Sequence, residues 1–517
     1  MNVFLLEHPR RIAPDRCNDI ANTPLASSLI TGSIAGLLNS MGHDVVIAEG
    51  FLDRLTYADI HRQVGALAPP VLGVHLVYNW SGNRELFAFL KGLKDEGLVG
   101  RLVGYGYYPT FAYREILAAC PAFDGLIIGE PELTFAEWLE TGAPVSGMAW
   151  VDEAGRVQMR RREVNRDLDA LPDPVRSGAM MRMGEVNIEG SRGCYGSCTF
   201  CYINPYYGAG PCWRAKSPER VMREVDRIMA RHGVRRFYFT DPNFFGPGRQ
   251  GQERALRLAA MLRERKIRFG IEARVNDIYQ DTVAALADAG LESLLIGLES
   301  GRDDSLRRLN KMTTVEQNER ALGILRANGI EPYVGFIMFE PDSTLADIRA
   351  NFDFLKRNAL LKNVFTTANV LYHPQIILRG TRAYRDLQRE GRLVLKGDGY
   401  EGTAAFKAPV VARLAEITGR ITNCFFLGLD GVWQGEVQEP LNAAGLYETV
   451  NELLVNCFEE NLRRLEAGES VDEAAAQTVI DEATMKIKSL LEEGKHAHSG
   501  KCEQGSYPGT NGSRRGC

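Results

Sequence analysis

Glu189-Gly-Ser-Arg-Gly-Cys-Tyr-Gly-Ser-Cys-Thr-Phe-Cys201 follows directly on Val186-Glu189, an alternating stretch read as a strand. Three cysteines at C-x3-C-x2-C spacing on a glycine-bearing loop can turn their sulfurs toward one point. Iron–sulfur clusters take thiolate ligands. Three ligands leave one iron of a four-iron cluster open, the condition a reacting ligand needs. Two other readings fit the same residues: a zinc site, which in structural form takes four protein ligands and would draw on Cys212, or three buried thiols that happen to lie close.

Outward from this loop the chain reads as a βα series. Strands are expected at Val186-Glu189, Phe237-Thr240, Phe269-Ala273, Leu294-Leu298, Tyr333-Met338 and Val364-Val370. Helices are expected at Pro218-His232, Gln252-Arg265, Gln280-Ala289, Val315-Asn328 and Thr344-Asn358. Ser217-Pro218-Glu219 is a well-formed helix start: a capping hydroxyl, a first-turn proline and an early acid. Six strands at even intervals predict a partial (β/α)6 barrel over 185–380, with function on the loops after the strands.

A second series occupies 1–140. Short apolar runs at Val3-Leu6, Val45-Ala48, Val71-Leu76, Leu102-Tyr105 and Leu126-Ile128 alternate with helical segments such as Ala26-Met41, Tyr57-Leu67 and Asn83-Glu96. That alternation predicts a doubly wound α/β domain with a parallel sheet covered on both faces, binding ligands at the carboxyl ends of its strands. Between the two lies a linker, 141–184. It holds a hairpin of Gly147-Val151 and Arg156-Arg160, and a proline-broken connector at Asp169-Pro174. A helical region is expected over 381–493 and a mobile tail, rich in Gly, Ser and basic residues, over 494–517.

Composition sets the outer limits. The chain has 517 residues, 45% hydrophobic and 25% charged, and Lys+Arg 61 against Asp+Glu 66 gives a net charge of -5. This balance argues against a nucleic-acid binder, and the apolar content against general disorder. No run of about 18 apolar residues predicts a membrane span. The start, MNVFLLEHPRR, lacks a secretory pattern, so a cytoplasmic location is expected. Ten cysteines, seven of them scattered, do not make a disulfide framework.

The cysteine loop and the strands after it resemble the radical S-adenosylmethionine superfamily over about Gly184-Asn369. Phe200 fills the aromatic position before the last cysteine. The resemblance implies a [4Fe-4S] cluster on Cys194, Cys198 and Cys201, with S-adenosylmethionine chelated at the open iron and cleaved reductively to a 5'-deoxyadenosyl radical. It places Phe200 near the adenine. Asp241 and Asn243, in Phe239-Thr-Asp-Pro-Asn-Phe-Phe245, would lie at the methionine amino end. Arg274, in Glu272-Ala-Arg274, could hold a carboxylate or form a strand-end ion pair. Glu299, in Leu295-Ile-Gly-Leu-Glu-Ser-Gly301, would lie near the ribose or amino end. Met338 and Phe339 read as core.

Upstream, Gly104-Tyr-Gly-Tyr-Tyr-Pro-Thr110 and Ile128-Gly-Glu-Pro-Glu-Leu-Thr-Phe135 resemble the cobalamin-binding domain of the cobalamin-dependent subclass. Gly-Tyr-Gly stands where that subclass often has a double glycine. The resemblance implies cobalamin contacts at Gly104, Gly106, Pro109, Thr110, Gly129 and Glu130. The D-x-H-x-x-G signature is missing, and His61 and His75 fall in a helix and a strand. Cobalamin bound without histidine ligation is therefore expected, its lower face toward Tyr78, Asn79 and Trp80. A ligand-free Rossmann-like domain is the bland alternative.

The subclass resemblance implies methyl transfer from S-adenosylmethionine through methylcobalamin to an unactivated carbon, or phosphorus, of a specialised-metabolite precursor. A rearrangement or ring closure without net methylation is the second reading, and a structural zinc or metabolite-sensing protein the third. Expected partners are a small-molecule or peptide-derived substrate and a reducing protein such as flavodoxin or ferredoxin, with no nucleic acid and no membrane. Tyr372-His373-Pro374 is expected near the barrel mouth.

Overall fold

A computed structural model describes residues 1–10, 14, 17, 29–77, 83–208, 210–397, 399–433 and 443–499. The first sheet has seven strands in the order β2-β1-β3-β4-β5-β6-β7. They are β1 (Asn2–Glu7), β2 (Asp44–Glu49), β3 (Val71–His75), β4 (Arg101–Tyr105), β5 (Gly125–Ile127), β6 (Met148–Val151) and β7 (Val157–Arg160). The first five pair in parallel, with Val3 opposite both Val45 and Val71. Side chains alternate between the faces, so Phe4, Leu6, Leu72 and Val74 join one core while Val3, Leu5, Val71 and Val103 join another. Burial on both faces explains why these strands read as continuous apolar runs. Strand order reverses between β1 and β3, and ligands of such sheets bind at the carboxyl ends beside that point.

The hairpin expected in the linker forms, but as part of this sheet: β6 pairs antiparallel with β5, and β7 with β6. Asp152 shapes its turn by accepting from the Ala154 and Arg156 N–H groups. An edge strand half-buried on the sheet extends the first unit beyond 140, because pairing to β5 satisfies backbone that a free linker would leave to water.

The second parallel sheet is ordered β14-β13-β12-β11-β8. Its strands are β8 (Val186–Ile188), β11 (Arg236–Phe239), β12 (Arg268–Arg274), β13 (Leu291–Glu299) and β14 (Tyr333–Phe336). Between β8 and β11 a separate antiparallel hairpin of β9 (Ser191–Cys194) and β10 (Cys212–Ala215) carries the first cysteine. Five strands form a partial barrel; the sixth strand expected at Val364-Val370 is instead a helix, Val364–Tyr372. The side-chain oxygen of Asn363 caps it by accepting from the Phe365 and Thr366 N–H groups. A short apolar run fits a buried helix as well as a strand, and the cap decides between them here. The sixth position is filled just beyond: Pro374 forms a parallel bridge to Phe339, the Met338 N–H donates to the His373 carbonyl, and the Gln375 N–H to the Phe339 carbonyl.

The region after 380 is not wholly helical. A small antiparallel sheet, β15 (Ile377–Leu378), β17 (Glu401–Ala404) and β16 (Leu393–Lys396), flanks the helix Arg382–Arg389. The long helices Pro409–Trp433, Ala443–Glu466 and Glu473–Ser499 follow. Leu414, Phe458 and Ile487 from these helices share one core with Phe352 and Val370 of the barrel. Helix continues through 494–499, the start of the expected tail, and the remainder of that tail lies outside the described residues. Among the described residues no helix is long and apolar enough to cross a membrane.

Candidate active site

The chain after β8 enters β9, which ends on Cys194, and the connection from β9 to β10 carries Cys198 and Cys201. Gly193 stands at φ +79° with the Cys212 carbonyl where a Cβ would be, so only glycine fits this crossing. Cys194 is buried, and Cys198 and Cys201 are half-buried. Arg274, at the end of β12, reaches under the loop. Its Nη1 donates to Cys198 Sγ at 3.6 Å and Cys194 Sγ at 3.9 Å, and its Nη2 to the Lys311 carbonyl at 2.9 Å. The guanidinium lies over the Tyr195 ring, 5.1 Å from its centroid. A Cβ on Gly196 would sit 1.9 Å from Nη1, so the middle residues of the C-x3-C spacing, Tyr195 and Gly196, make the recess that admits the arginine. Arg274 therefore meets thiols rather than forming a strand-end pair with a carboxylate, and its Nε is buried with no partner.

A second cation stands nearby. Buried Lys311 pairs with Glu299 at 2.6 Å. Burial alone would lower the lysine, but Glu299 and Cys198 outweigh it and hold the ammonium above its usual range. Glu299 has φ +63° at a bulge where the β13–β14 register shifts. A left-handed non-glycine residue costs about 1–3 kcal/mol and persists only where its surroundings fix it. Burial pushes the Cys201 thiol up to about 12, despite a donation from the Ile203 N–H. Such a thiol ionises against added positive charge, which a metal centre supplies. Among the described residues no three His, Cys, Asp or Glu side chains are grouped to hold a single metal ion.

The barrel's inner face has room. Alternate residues Asn187, Tyr238, Glu272, Leu295, Gly297 and Gly335 keep accessible surface while their neighbours along each strand are buried in the core. Gly297 and Gly335 face each other across β13 and β14, and the room a side chain at Gly297 would need is taken by the Glu299–Lys311 pair. Tyr238 donates to Glu272 at 3.3 Å, and enclosure pushes the Glu272 carboxyl up to about 7. Phe200 is half-buried on the cysteine loop.

Asp241 is fully buried and spent on the chain itself. It accepts from the Gly190 N–H at 2.6 Å and the Ser191 hydroxyl at 2.8 Å, and burial pushes it up to about 6. Asn243 donates to Asp277 at 3.1 Å, and its Oδ1 is buried without a partner, an acceptor aimed at a missing donor. Asp277 in turn accepts from the Tyr195 hydroxyl at 2.6 Å. The sequence gives a signal for Tyr195, which lies inside the cysteine motif, but none for Asp277 or Lys311.

The first sheet meets this hairpin through buried charge. Arg192, two residues before Cys194, binds Glu130 at 2.9 Å, Glu132 at 2.6 Å and Glu189 at 2.9 Å. Arg214 of β10 also binds Glu130, at 3.0 Å. Glu130 is thus a tie between the two units. Thr110 donates to the Gly106 carbonyl at 2.7 Å and accepts from the Gly129 N–H at 3.0 Å, joining the loops after β4 and β5. Pro109 is buried in the first turn of the helix Tyr107–Ala119. Gly106, at φ +120°, leaves space for the His75 ring, whereas Gly104 packs against Leu76 and Leu126 in the core. Tyr107 packs on Tyr206 with the rings tilted 41° and their centroids 4.1 Å apart, and meets Tyr202 just past Cys201.

At the switch point between β1 and β3, His75 Nδ1 meets Glu7 at 2.9 Å, Arg10 donates to Glu7 at 2.6 Å, and Thr31 links Glu7 to Tyr105. Burial would raise Glu7, but His75 and Arg10 bring it down to about 2. His61 pairs with Glu96 on an exposed helix face. Tyr78, Asn79 and Trp80 lie outside the described residues. His373 is half-buried, and burial lowers it to about 4.

Residues 188–355 match the Radical SAM superfamily model. The chain is similar to an uncharacterized methyltransferase of Pyrococcus horikoshii, 24% identical over 384 residues, 71% of this chain and 80% of that protein. It is also similar to 4'-phospho-dehydrooxetanocin synthase of Priestia megaterium, 34% identical over 43% of this chain, but that match spans only 33% of the synthase. Among solved structures, the cobalamin-dependent S-adenosylmethionine radical enzyme OxsB, with aqua-cobalamin and S-adenosylmethionine bound, superposes with a TM-score of 0.76 at 20% identity, covering 95% of this chain and 80% of that one. The cysteine loop and the barrel behind it lie within the matched residues, so 188–355 form a Radical SAM domain, in a chain with the fold of the cobalamin-dependent enzyme OxsB.

Proposed function

We propose that the chain is a cobalamin-dependent radical S-adenosylmethionine methyltransferase acting on an unactivated carbon or phosphorus of a small specialised-metabolite precursor. The observation that carries this is the placement of Cys194, Cys198 and Cys201 beside Arg274 and Lys311, at the mouth of a barrel tied to the first sheet by Arg192. Supplied with a [4Fe-4S] cluster, S-adenosylmethionine and cobalamin, the site would gain a reductant-driven radical source and a methyl carrier, chemistry no side chain provides.

The chain's own residues bind, orient and exclude water. The three cysteines hold the cluster. Asn243 Oδ1, the buried acceptor without a donor, suits an ammonium. Phe200 offers an apolar surface to an adenine. Gly297 admits the Glu299–Lys311 pair to the inner wall, and Glu272, poised near neutrality, can hold or release a proton there. The loops of Gly106–Thr110 and Gly129–Glu130, tied by Thr110, form the floor for cobalamin. The His75 ring is enclosed between Tyr105 and Gly106 within β3, and the D-x-H-x-x-G signature is missing, so we take the cobalt to be bound without histidine ligation. A paramagnetic resonance spectrum with nitrogen splitting from a protein histidine would overturn that point.

The similarity to an uncharacterized methyltransferase supports methylation. The similarity to a protein named a synthase supports a second reading, rearrangement or ring closure without net methylation. The test is anaerobic reconstitution with iron, sulfide, cobalamin and S-adenosylmethionine, followed by product mass. Formation of S-adenosylhomocysteine and a product heavier by one methylene are expected; an unchanged molecular formula favours the second reading. Cys212→Ala is expected to keep full iron and Cys198→Ala to lose it. Zinc bound with four cysteines would end both enzyme readings.

A further inference from the structure

The cysteine loop is tied to one helix on the outside of the molecule. Ser197 is exposed, and the carbonyl of Thr199, between the second and third cysteines, accepts from the Ala383 N–H at 2.9 Å. Ala383 opens the helix Arg382–Arg389, which is two-sided. Ala383, Tyr384 and Leu387 are buried, while Arg382, Arg385, Gln388 and Arg389 are exposed. The side chains of Arg382 and Arg389 are 61% and 77% accessible. Asp386, the one carboxylate within the helix, lies 3.4 Å from Arg382 and also pairs with Arg389, while exposed Glu390 just past its end pairs with Arg392. Arg385 spends a hydrogen bond on the neutral Gly380 carbonyl at 3.1 Å, which leaves its charge uncompensated. Three guanidiniums therefore face solvent with one carboxylate, in a chain whose net charge is -5.

We propose that this face is the docking surface for a small acidic protein that delivers single electrons to the cluster. The inference rests on the iron–sulfur reading above and adds where the electron enters. Like charges at three and four residue spacings destabilise an isolated helix, so the face is not explained by helix stability. A positive patch on an otherwise acidic molecule draws a negative partner to one place and orients it. The hydrogen bond from Ala383 to Thr199 puts that place against the loop holding Cys198 and Cys201. In the step itself one electron leaves the reduced flavin or iron–sulfur group of the donor and enters the oxidised cluster; no bond forms or breaks.

The test uses the full chain, a purified acidic flavodoxin as donor probe, and the variants R385E/R389E and R385Q/R389Q. Binding is measured with and without reconstituted cluster, at low and moderate salt. Bleaching of the cluster's colour is followed with reduced flavodoxin and, separately, with dithionite. The charge-reversed variant is expected to bind flavodoxin roughly tenfold or more weakly at low salt, with a flattened salt dependence. Its reduction by dithionite is expected to match the unaltered chain. Should charge reversal disturb folding by circular dichroism, the glutamine pair gives the same comparison with a smaller loss. Unchanged flavodoxin binding and salt dependence in a folded variant would overturn the proposal, as would an unaltered chain that binds homopolymer RNA through this face and flavodoxin not at all. An unaltered chain that takes up no iron would fail the iron–sulfur reading instead, and the cluster-free binding would still decide the surface.

Discussion

Arg274 Nη1 lies 3.6 Å from Cys198 Sγ and 3.9 Å from Cys194 Sγ, so one cation serves two of the three sulfurs. Hydrogen bonds and positive charge at ligand sulfurs favour the reduced, more negative state of an iron–sulfur cluster. Arg274→Gln is expected to shift the midpoint potential downward, and Arg274→Lys to shift it less. Resonance-monitored redox titration without S-adenosylmethionine checks this; equal potentials in all three proteins would refute it.

Gly196→Ala places a methyl group where the Arg274 guanidinium lies. The arginine must then leave the two thiols. The alanine variant is expected to reproduce the lowered potential of Arg274→Gln, with little loss of overall stability, since the displaced atom ends a flexible side chain. A double variant is expected to add little to either single change, which a thermodynamic cycle measures.

Arg192 is buried among Glu130, Glu132 and Glu189, all carboxylates with no other cation of equal reach except Arg214 at Glu130. Arg192→Ala leaves Glu132 and Glu189 without this partner while Glu130 keeps Arg214, and breaking a buried ion pair from one side costs about 3–5 kcal/mol. Denaturant unfolding is expected to show a loss of that order. Adding Glu132→Leu to Arg192→Met is expected to recover part of it, because the stranded carboxylate is then gone.

Burial raises Asp241 to about 6 and Glu272 to about 7. Each carboxyl binds its proton more tightly in the folded than in the unfolded chain. Their contribution to stability is present below the ordinary carboxylate range and is lost as pH rises through the folded values. Stability is therefore expected to fall between about pH 4 and 7 from these two groups, and Glu272→Gln to flatten the upper part of that fall. Thermal midpoints across the range, compared between the two proteins, test the sign.

The cysteine spacing, the strand before it and the alternation of short apolar runs with helical segments were legible because each is local. Periodicity and spacing survive without knowing what packs where. Val364-Val370 was not legible: a seven-residue run in which all but Asn369 are apolar or β-branched suits either state, and the Asn363 cap with burial against the terminal helices selects helix. The β6–β7 hairpin was visible, yet its place was not, since pairing to β5 is a contact between distant residues. The family resemblance implied a ligand role for Asp241, and the fold turns its carboxylate toward Gly190 and Ser191.

By itself the sequence determined that three thiols would stand on one loop at the end of a strand, because covalent spacing and local turn preference need no partner. Only the tertiary structure decided what those thiols face. Arg274, Lys311 and the glutamates around Arg192 come from strands and loops far along the chain, and burial makes each of them choose a partner of opposite charge. Charge removed from water must be matched where the fold brings it, and no linear pattern records that match.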